Sequence, residues 1–254
     1  MSEQKYTLSA RQFPVADKKA KPPKFNAPGV TLRIGPSDLT GDTIATVAVF
    51  VSTNDKTGNT TQVYFIPVDE HPIDAIDSGL DTAVCGDCPL KPSNDNVCYV
   101  RKYHGPASVY RTFKAGRYPL FADLSKADQR KVWAILESKP LRLGAWGDPA
   151  ADSFTSVLLA TGDQIPNVLS YSHQWRDNPQ LKPFTMASVD SPAEYIEAKE
   201  LGWRTYRHTF DDTAFPNEIV CPHSSHGTQC IDCGLCNGNN GSSDRDIVTR
   251  TLHG

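Results

Sequence analysis

The chain has 254 residues, of which 39% are hydrophobic and 22% charged, with a formal net charge of −3. A chain of this length buries a full core without covalent staples, and this composition excludes the disordered and fibrous classes. A charge near neutral gives no global signature for nucleic acid. Arg101, Lys102, Arg111, Lys114 and Arg117 do concentrate in one stretch, whose ordinary reading is a solvated face.

Residues 1–29 carry Lys18, Lys19, Lys21 and Lys24 together with Pro14, Pro22, Pro23 and Pro28, which resist helix and sheet alike, and are expected to form a flexible arm. They hold no apolar run of seven or more residues, so neither a secretory signal nor a membrane anchor is expected. The expected compartment is cytoplasmic, with no membrane partner.

Residues 30–80 form an N-terminal β segment. TLRIG, TIATVAVFVS and QVYFIPV, within Val30 to Val68, are rich in β-branched and aromatic residues. The polar stretch Asn54 to Asn59, with Gly58, suits the turn between the last two. These should be two or three antiparallel strands.

Residues 81–220 read as a β/α core. A short helix is expected near Ala107 to Ala115, and a longer one after Ser125, which can cap it while Val132, Ile135 and Leu136 share a face. Then come a strand over Pro140 to Trp146, a helix in ADSFTSVLLATG closed by Gly162, and strands over Asn167 to His173 and Phe184 to Asp190. A helix in PAEYIEAKELG, a strand over Trp203 to Phe210 and a final short strand EIVC follow. Strands alternating with helices imply parallel pairing through right-handed crossovers. Polar residues recur at the strand ends Trp146 to Asp148, Tyr171 to Trp175, Ser188 to Ser191 and Arg207 to His208. In β/α barrels the chemistry sits at that face. The expected fold is therefore α/β: a partial or distorted β/α barrel with an N-terminal antiparallel β segment and a cysteine-rich metal-binding segment over residues 221–254.

Seven cysteines, an odd number with C-x2-C spacing, read as metal or iron-sulfur ligands in a reducing compartment. The first group is Cys85-x2-Cys88-x9-Cys98, followed by Tyr99. Three thiolates from one loop leave a coordination position open, as a catalytic metal or a substrate-binding cluster needs; His104 as a fourth ligand would instead close a structural zinc site. The second group is Cys221-Pro222-x7-Cys230-x2-Cys233-x2-Cys236. Its four thiolates can close a [4Fe-4S] cluster or bind zinc, and the doubled x2 spacing leans towards iron-sulfur. His223 and His226 keep zinc open.

These residues carry a resemblance to the radical S-adenosylmethionine enzymes. The chain is more closely similar to uncharacterised phage-encoded proteins in which a cysteine-rich segment ending in Cys-Tyr precedes a Gly-Asp motif. The resemblance covers roughly residues 80–210. It implies that Cys85, Cys88 and Cys98 hold a catalytic [4Fe-4S] cluster whose open iron binds S-adenosylmethionine. It also implies that Gly147, Asp148 and Pro149 meet the methionine amino group, and that Cys221, Cys230, Cys233 and Cys236 hold an auxiliary cluster. The spacing departs from the common C-x3-C-x2-C of that family. An electron donor and a substrate would be the partners.

Other residues have two readings each. Asp148 can contact a ligand or cap the helix that follows. His173, expected to share a strand face with Tyr171 and Trp175, is a candidate acid, base or cofactor-binding ligand, or a packed histidine. Asp190 and Ser191 fit an N-cap, and Arg207 and His208 could meet a phosphate or carboxylate or form an ion pair. No Walker loop, Gly-x-Ser-x-Gly elbow or His-Glu-x-x-His occurs. The leading expectation is an iron-sulfur enzyme of radical type. The rival is a zinc-stabilised nucleic-acid-binding or accessory protein whose basic stretch from Arg101 to Arg117 meets phosphates.

Overall fold

The structure, a computed structural model, describes residues 24–91, 93, 98, 100, 103–161, 165–209, 214–241 and 243–249. The arm expected over 1–29 lies outside these up to residue 23. Its last residues are held, because the Phe25 ring packs edge-on against Phe50 at 5.9 Å between centroids.

Three β-branched runs form the antiparallel strands β1 (Gly29–Pro36), β2 (Thr43–Val49) and β3 (Thr61–Pro67). A parallel series follows: β4 (Leu141–Trp146), β5 (Val168–Ser172), β6 (Met186–Val189) and β7 (Thr205–His208). The sheet ends with β8 (Glu218–Val220) and β9 (Asp246–Thr249). The nine strands form one sheet in the order β1-β2-β3-β4-β5-β6-β7-β9-β8, parallel at every pairing from β3 onward. Strand β9 was not expected from the sequence. It lies between β7 and β8, so the C-terminal segment completes the sheet rather than hanging from it.

The helices are α1 (Pro72–Ser78), α2 (Thr82–Cys85), α3 (Gly105–Lys114), α4 (Lys126–Glu137), α5 (Ser153–Thr161), α6 (Pro192–Glu200), α7 (Pro222–His226) and α8 (Cys230–Cys233). Their starts follow the local chemistry. Ser125 accepts from the Asp128 amide to cap α4, and Ser191 accepts from the Glu194 amide to cap α6. The proposed closure of α5 at Gly162 lies outside the described residues. Helix α4 buries Val132, Trp133, Ile135 and Leu136 in the same core as Leu141, Leu143, Phe65 and Ile66 of the sheet. A smaller core gathers Leu169, Met186, Tyr206 and Ile247 with Cys221 and Cys236. Among the described residues no helix is long and apolar enough to cross a membrane.

Two glycines shape the exit of β4. Gly144 has φ +77°, and its position coincides with the shift in the β3/β4 register between Val63 and Tyr64. Gly147 has φ +82°, and a Cβ there would come within 2.8 Å of the Phe65 Cβ and 3.1 Å of the Val84 carbonyl oxygen. Only glycine lets this turn lie against α2.

Candidate metal centres

The first cysteine group is built on a tight turn. Helix α2 ends at the buried Cys85, Gly86 caps it with φ +60°, and the Cys88 amide donates back to the Cys85 carbonyl at 3.3 Å. Lys91 Nζ pins the turn by donating to Thr82 Oγ1 at 2.6 Å and to the Gly86 carbonyl at 3.1 Å. The exit of β4 docks on this turn, its Asp148 amide donating to the Val84 carbonyl at 2.6 Å.

Asp148 ties two strand ends together. One carboxylate oxygen accepts from the Ala150 amide at 2.9 Å and the Ser172 hydroxyl at 2.7 Å; the other accepts from the His173 amide at 2.8 Å. Burial pushes its pKa up, against the pull of these donors and of the His173 ring. The side chain is therefore a cap and a cross-link. His173, held just past β5, lies with Nδ1 3.2 Å from Cys88 Sγ and Nε2 3.0 Å from Asp190 Oδ2. Burial opposes its charge, but the bonds to Asp190 and Cys88 carry its pKa up to about 10. A carboxylate on one ring nitrogen is how proteins orient a metal-ligating histidine, and here the other nitrogen faces Cys88.

Two further residues belong here that the sequence did not mark as ligands. Asp190 and Ser191 were expected at a helix cap; Ser191 is the cap, and the Asp190 side chain turns to His173. Asp81 is wholly buried, and neither carboxylate oxygen has a hydrogen-bond partner among the described residues. Its charge raises the pKa of both Cys85 and Cys98. Only its position four residues before Cys85, one helical turn, could have suggested it. Burial pushes the Cys85 thiol well above its ordinary value and Cys98 up to about 11, and in each case the neighbouring thiols add to the shift. Tyr99 lies outside the described residues.

The second group surrounds a pocket at the far end of the sheet. Cys221 follows β8, its amide bonded to the Val248 carbonyl at 2.8 Å; Cys230 and Cys233 bracket α8, and the Cys236 carbonyl accepts from Ser170 at 3.0 Å. All four line one cavity of about 10 Å³ together with Leu169, Tyr171 and Ile247. Burial raises Cys236 to about 12, with a hydrogen bond from Tyr171 opposing it, while the cations of Lys56 and Arg142 pull Cys230 back down. The β2–β3 loop closes over this group, since the Lys56 carbonyl accepts from Cys230 at 2.8 Å and the Thr57 carbonyl from Ile231 at 3.2 Å. Lys56 in turn has its pKa lowered by burial, against the pull of Cys221, Cys230 and Cys236.

As the side chains stand, no three His, Cys, Asp or Glu among the described residues converge closely enough to hold an ion. Holding an ion would require thiols to rotate inward. The donor types suit one: thiols that raise one another's pKa, an imidazole held by Asp190, and a buried carboxylate.

Beside the second group a cavity of about 510 Å³ is lined by Gln62, Tyr64, Arg142, Leu169, Tyr171 and Tyr206 of the sheet. Cys230 and His223 border it from the second group, His104 and Gly105 from the segment after the first.

The remaining expectations separate. Tyr171, His173 and Trp175 do not share a face, because β5 ends at Ser172; Tyr171 joins the second core and the buried Trp175 the main one, donating from Nε1 to the Ser188 carbonyl at 3.1 Å. Arg207 forms a buried ion pair with Glu218 rather than an open anion site. Gly147 and Asp148, expected to meet S-adenosylmethionine, are both committed to packing and internal hydrogen bonds. Comparison with family models, curated proteins and solved structures finds no match for this chain.

Asp148→Asn should lower stability by roughly 1–3 kcal/mol, because one acceptor becomes a donor facing groups that already donate. Urea unfolding measures it. An unchanged midpoint would show that the donors from Ala150, Ser172 and His173 find other acceptors.

Proposed function

We propose that this protein is an iron-sulfur enzyme with two thiolate centres and a substrate cavity beside the second. Cys85, Cys88 and Cys98 would form the reactive centre, with His173 as an exchangeable fourth ligand; Cys221, Cys230, Cys233 and Cys236 would form the auxiliary one. The observation that carries this reading is His173, whose Nε2 is held by Asp190 at 3.0 Å and whose Nδ1 lies 3.2 Å from Cys88 Sγ. A bound cluster would supply one-electron chemistry. The chain's own residues would hold His173 through Asp190 and Asp148 and keep the Cys85 side dry.

The radical S-adenosylmethionine form of this reading lacks its expected contact, because both Asp148 oxygens are already occupied. What supports the proposed partial or distorted barrel is the parallel series β3-β4-β5-β6-β7 in sequential order, the strand order of a β/α barrel.

The rival zinc-stabilised, nucleic-acid-binding reading is favoured by one observation, the size of the second pocket. About 10 Å³ holds a single ion or water, and a four-iron core would need its walls to open. The basic stretch helps this reading little: Arg101 and Lys102 lie outside the described residues, and Lys114 is directed at the Val68 carbonyl and the Tyr110 ring.

Anaerobic purification decides between them. The expected product is brown, with broad absorbance near roughly 400 nm from thiolate-to-iron charge transfer, and contains iron at both centres. A colourless protein with stoichiometric zinc after iron reconstitution would overturn the iron-sulfur reading.

A further inference from the structure

The cavity beside the second cysteine group has a character of its own. Its volume of about 510 Å³ is that of a small-molecule site rather than of an inorganic ion. Its wall holds two cations, Lys56 and Arg142, against one carboxylate, Asp55, among the described lining residues.

The cations are fixed rather than free-swinging. The Arg142 guanidinium lies 4.3 Å from the centroid of the Tyr171 ring, Tyr171 stacks on Tyr206 at 4.0 Å, and Lys56 Nζ sits 3.4 Å from the Tyr206 hydroxyl. Each cation is thus anchored on one member of a pair of stacked tyrosines. Holding charge in place before a ligand arrives reduces the ordering cost of binding an anion. The rest of the wall is half apolar, with Leu169 and the tyrosine rings, and half hydrogen-bonding, with Ser52, Asn54 and Gln62. An anion alone would leave the apolar part wet.

We propose that this cavity binds a phosphorylated organic molecule with a flat body, of nucleoside monophosphate size. Its phosphate would lie between Lys56 and Arg142, and its base against the apolar wall. A cationic sulfonium compound is disfavoured there by the same two charges. Cys230 and His223 border the cavity, so it adjoins the second cysteine group, and the proposal rests on the two cations and not on which metal that group holds.

The test is calorimetric titration of the full-length protein, with its metal content as purified, using AMP, GMP, CMP and UMP as probes and the matching nucleosides as uncharged controls. At least one monophosphate should bind, and its nucleoside should bind at least about tenfold more weakly, or not at all. Lys56→Gln, a change on a loop, should weaken the monophosphate about tenfold and reduce the salt dependence of its affinity. Arg142→Gln should do the same provided its melting curve stays cooperative. The proposal fails if no monophosphate binds at millimolar concentration to the wild-type protein. It fails equally if the nucleoside of the monophosphate that binds does so as tightly as the monophosphate, or if Lys56→Gln leaves the affinity and its salt dependence unchanged.

Discussion

Glu218→Ala is expected to lower the stability of the fold by roughly 3–5 kcal/mol, the cost of removing one partner of a buried ion pair. Glu218 on β8 meets Arg207 on β7 in a two-pronged pair, Nε to Oε1 and Nη2 to Oε2 both at 2.8 Å, with side chains 7% and 0% exposed. Strand β9 runs between these strands, so the pair spans it. Glu218 also accepts from the Phe215 amide, and the Phe215 ring lies 4.4 Å from the Arg207 guanidinium. Removing the carboxylate takes away acceptors that the guanidinium cannot readily replace with water. Joint replacement of Arg207 by Met and Glu218 by Leu should recover most of the loss, because no charge then stays buried. Chemical denaturation of the three proteins measures this, and a single-variant loss under about 1 kcal/mol would mean that water reaches the pair.

Cys236→Ser should have an effect of similar or greater size, and Cys98→Ala should not. Cys236 belongs to the smaller core with Ile247 and Leu169, and its neighbours bond to β5 and to the β2–β3 loop. Metal bound there would draw on folding free energy, since the unfolded chain has no assembled site; for structural zinc in zinc-finger peptides this amounts to about 10–16 kcal/mol of binding. Losing one of four ligands should therefore lower the melting temperature, with an apparent stability loss exceeding about 3 kcal/mol, and release the metal. Cys98 is carried on a loop outside the sheet, so Cys98→Ala should reduce metal at the first centre while the melt stays near wild type. Equal collapse of both variants would contradict the division into a reactive and a structural centre.

The strand and helix series was legible because its signals are local. Alternation of β-branched residues in β1 to β3, the caps Ser125 and Ser191, and strand–helix alternation from β4 to β7 all act within a few residues. Strand β9 was missed because DIVT is four residues long and sits among glycine, serine and asparagine; it becomes a strand only through neighbours on both sides. The cysteines named both candidate centres by spacing. Asp190 and Asp81 were not legible as members of the site, since a carboxylate beside a helix start has many ordinary uses and only the fold brings these two to His173 and to the thiols. Asp148 was visible, but its role as a cross-link depended on Ser172 and His173 arriving from another strand.

The contact between the β2–β3 loop and the last cysteines has a consequence for assembly. The Gln229 amide donates to the Asp55 carbonyl across 174 residues of sequence, and the Lys56 and Thr57 carbonyls receive the first amides of α8. During synthesis the antiparallel strands can pair as soon as they emerge, whereas their loop finds its partners only when nearly the whole chain has been made. So long a closure is slow to form, and the cavity has no complete wall before it. Gathering of the last four cysteines and completion of the cavity wall thus become a single late event.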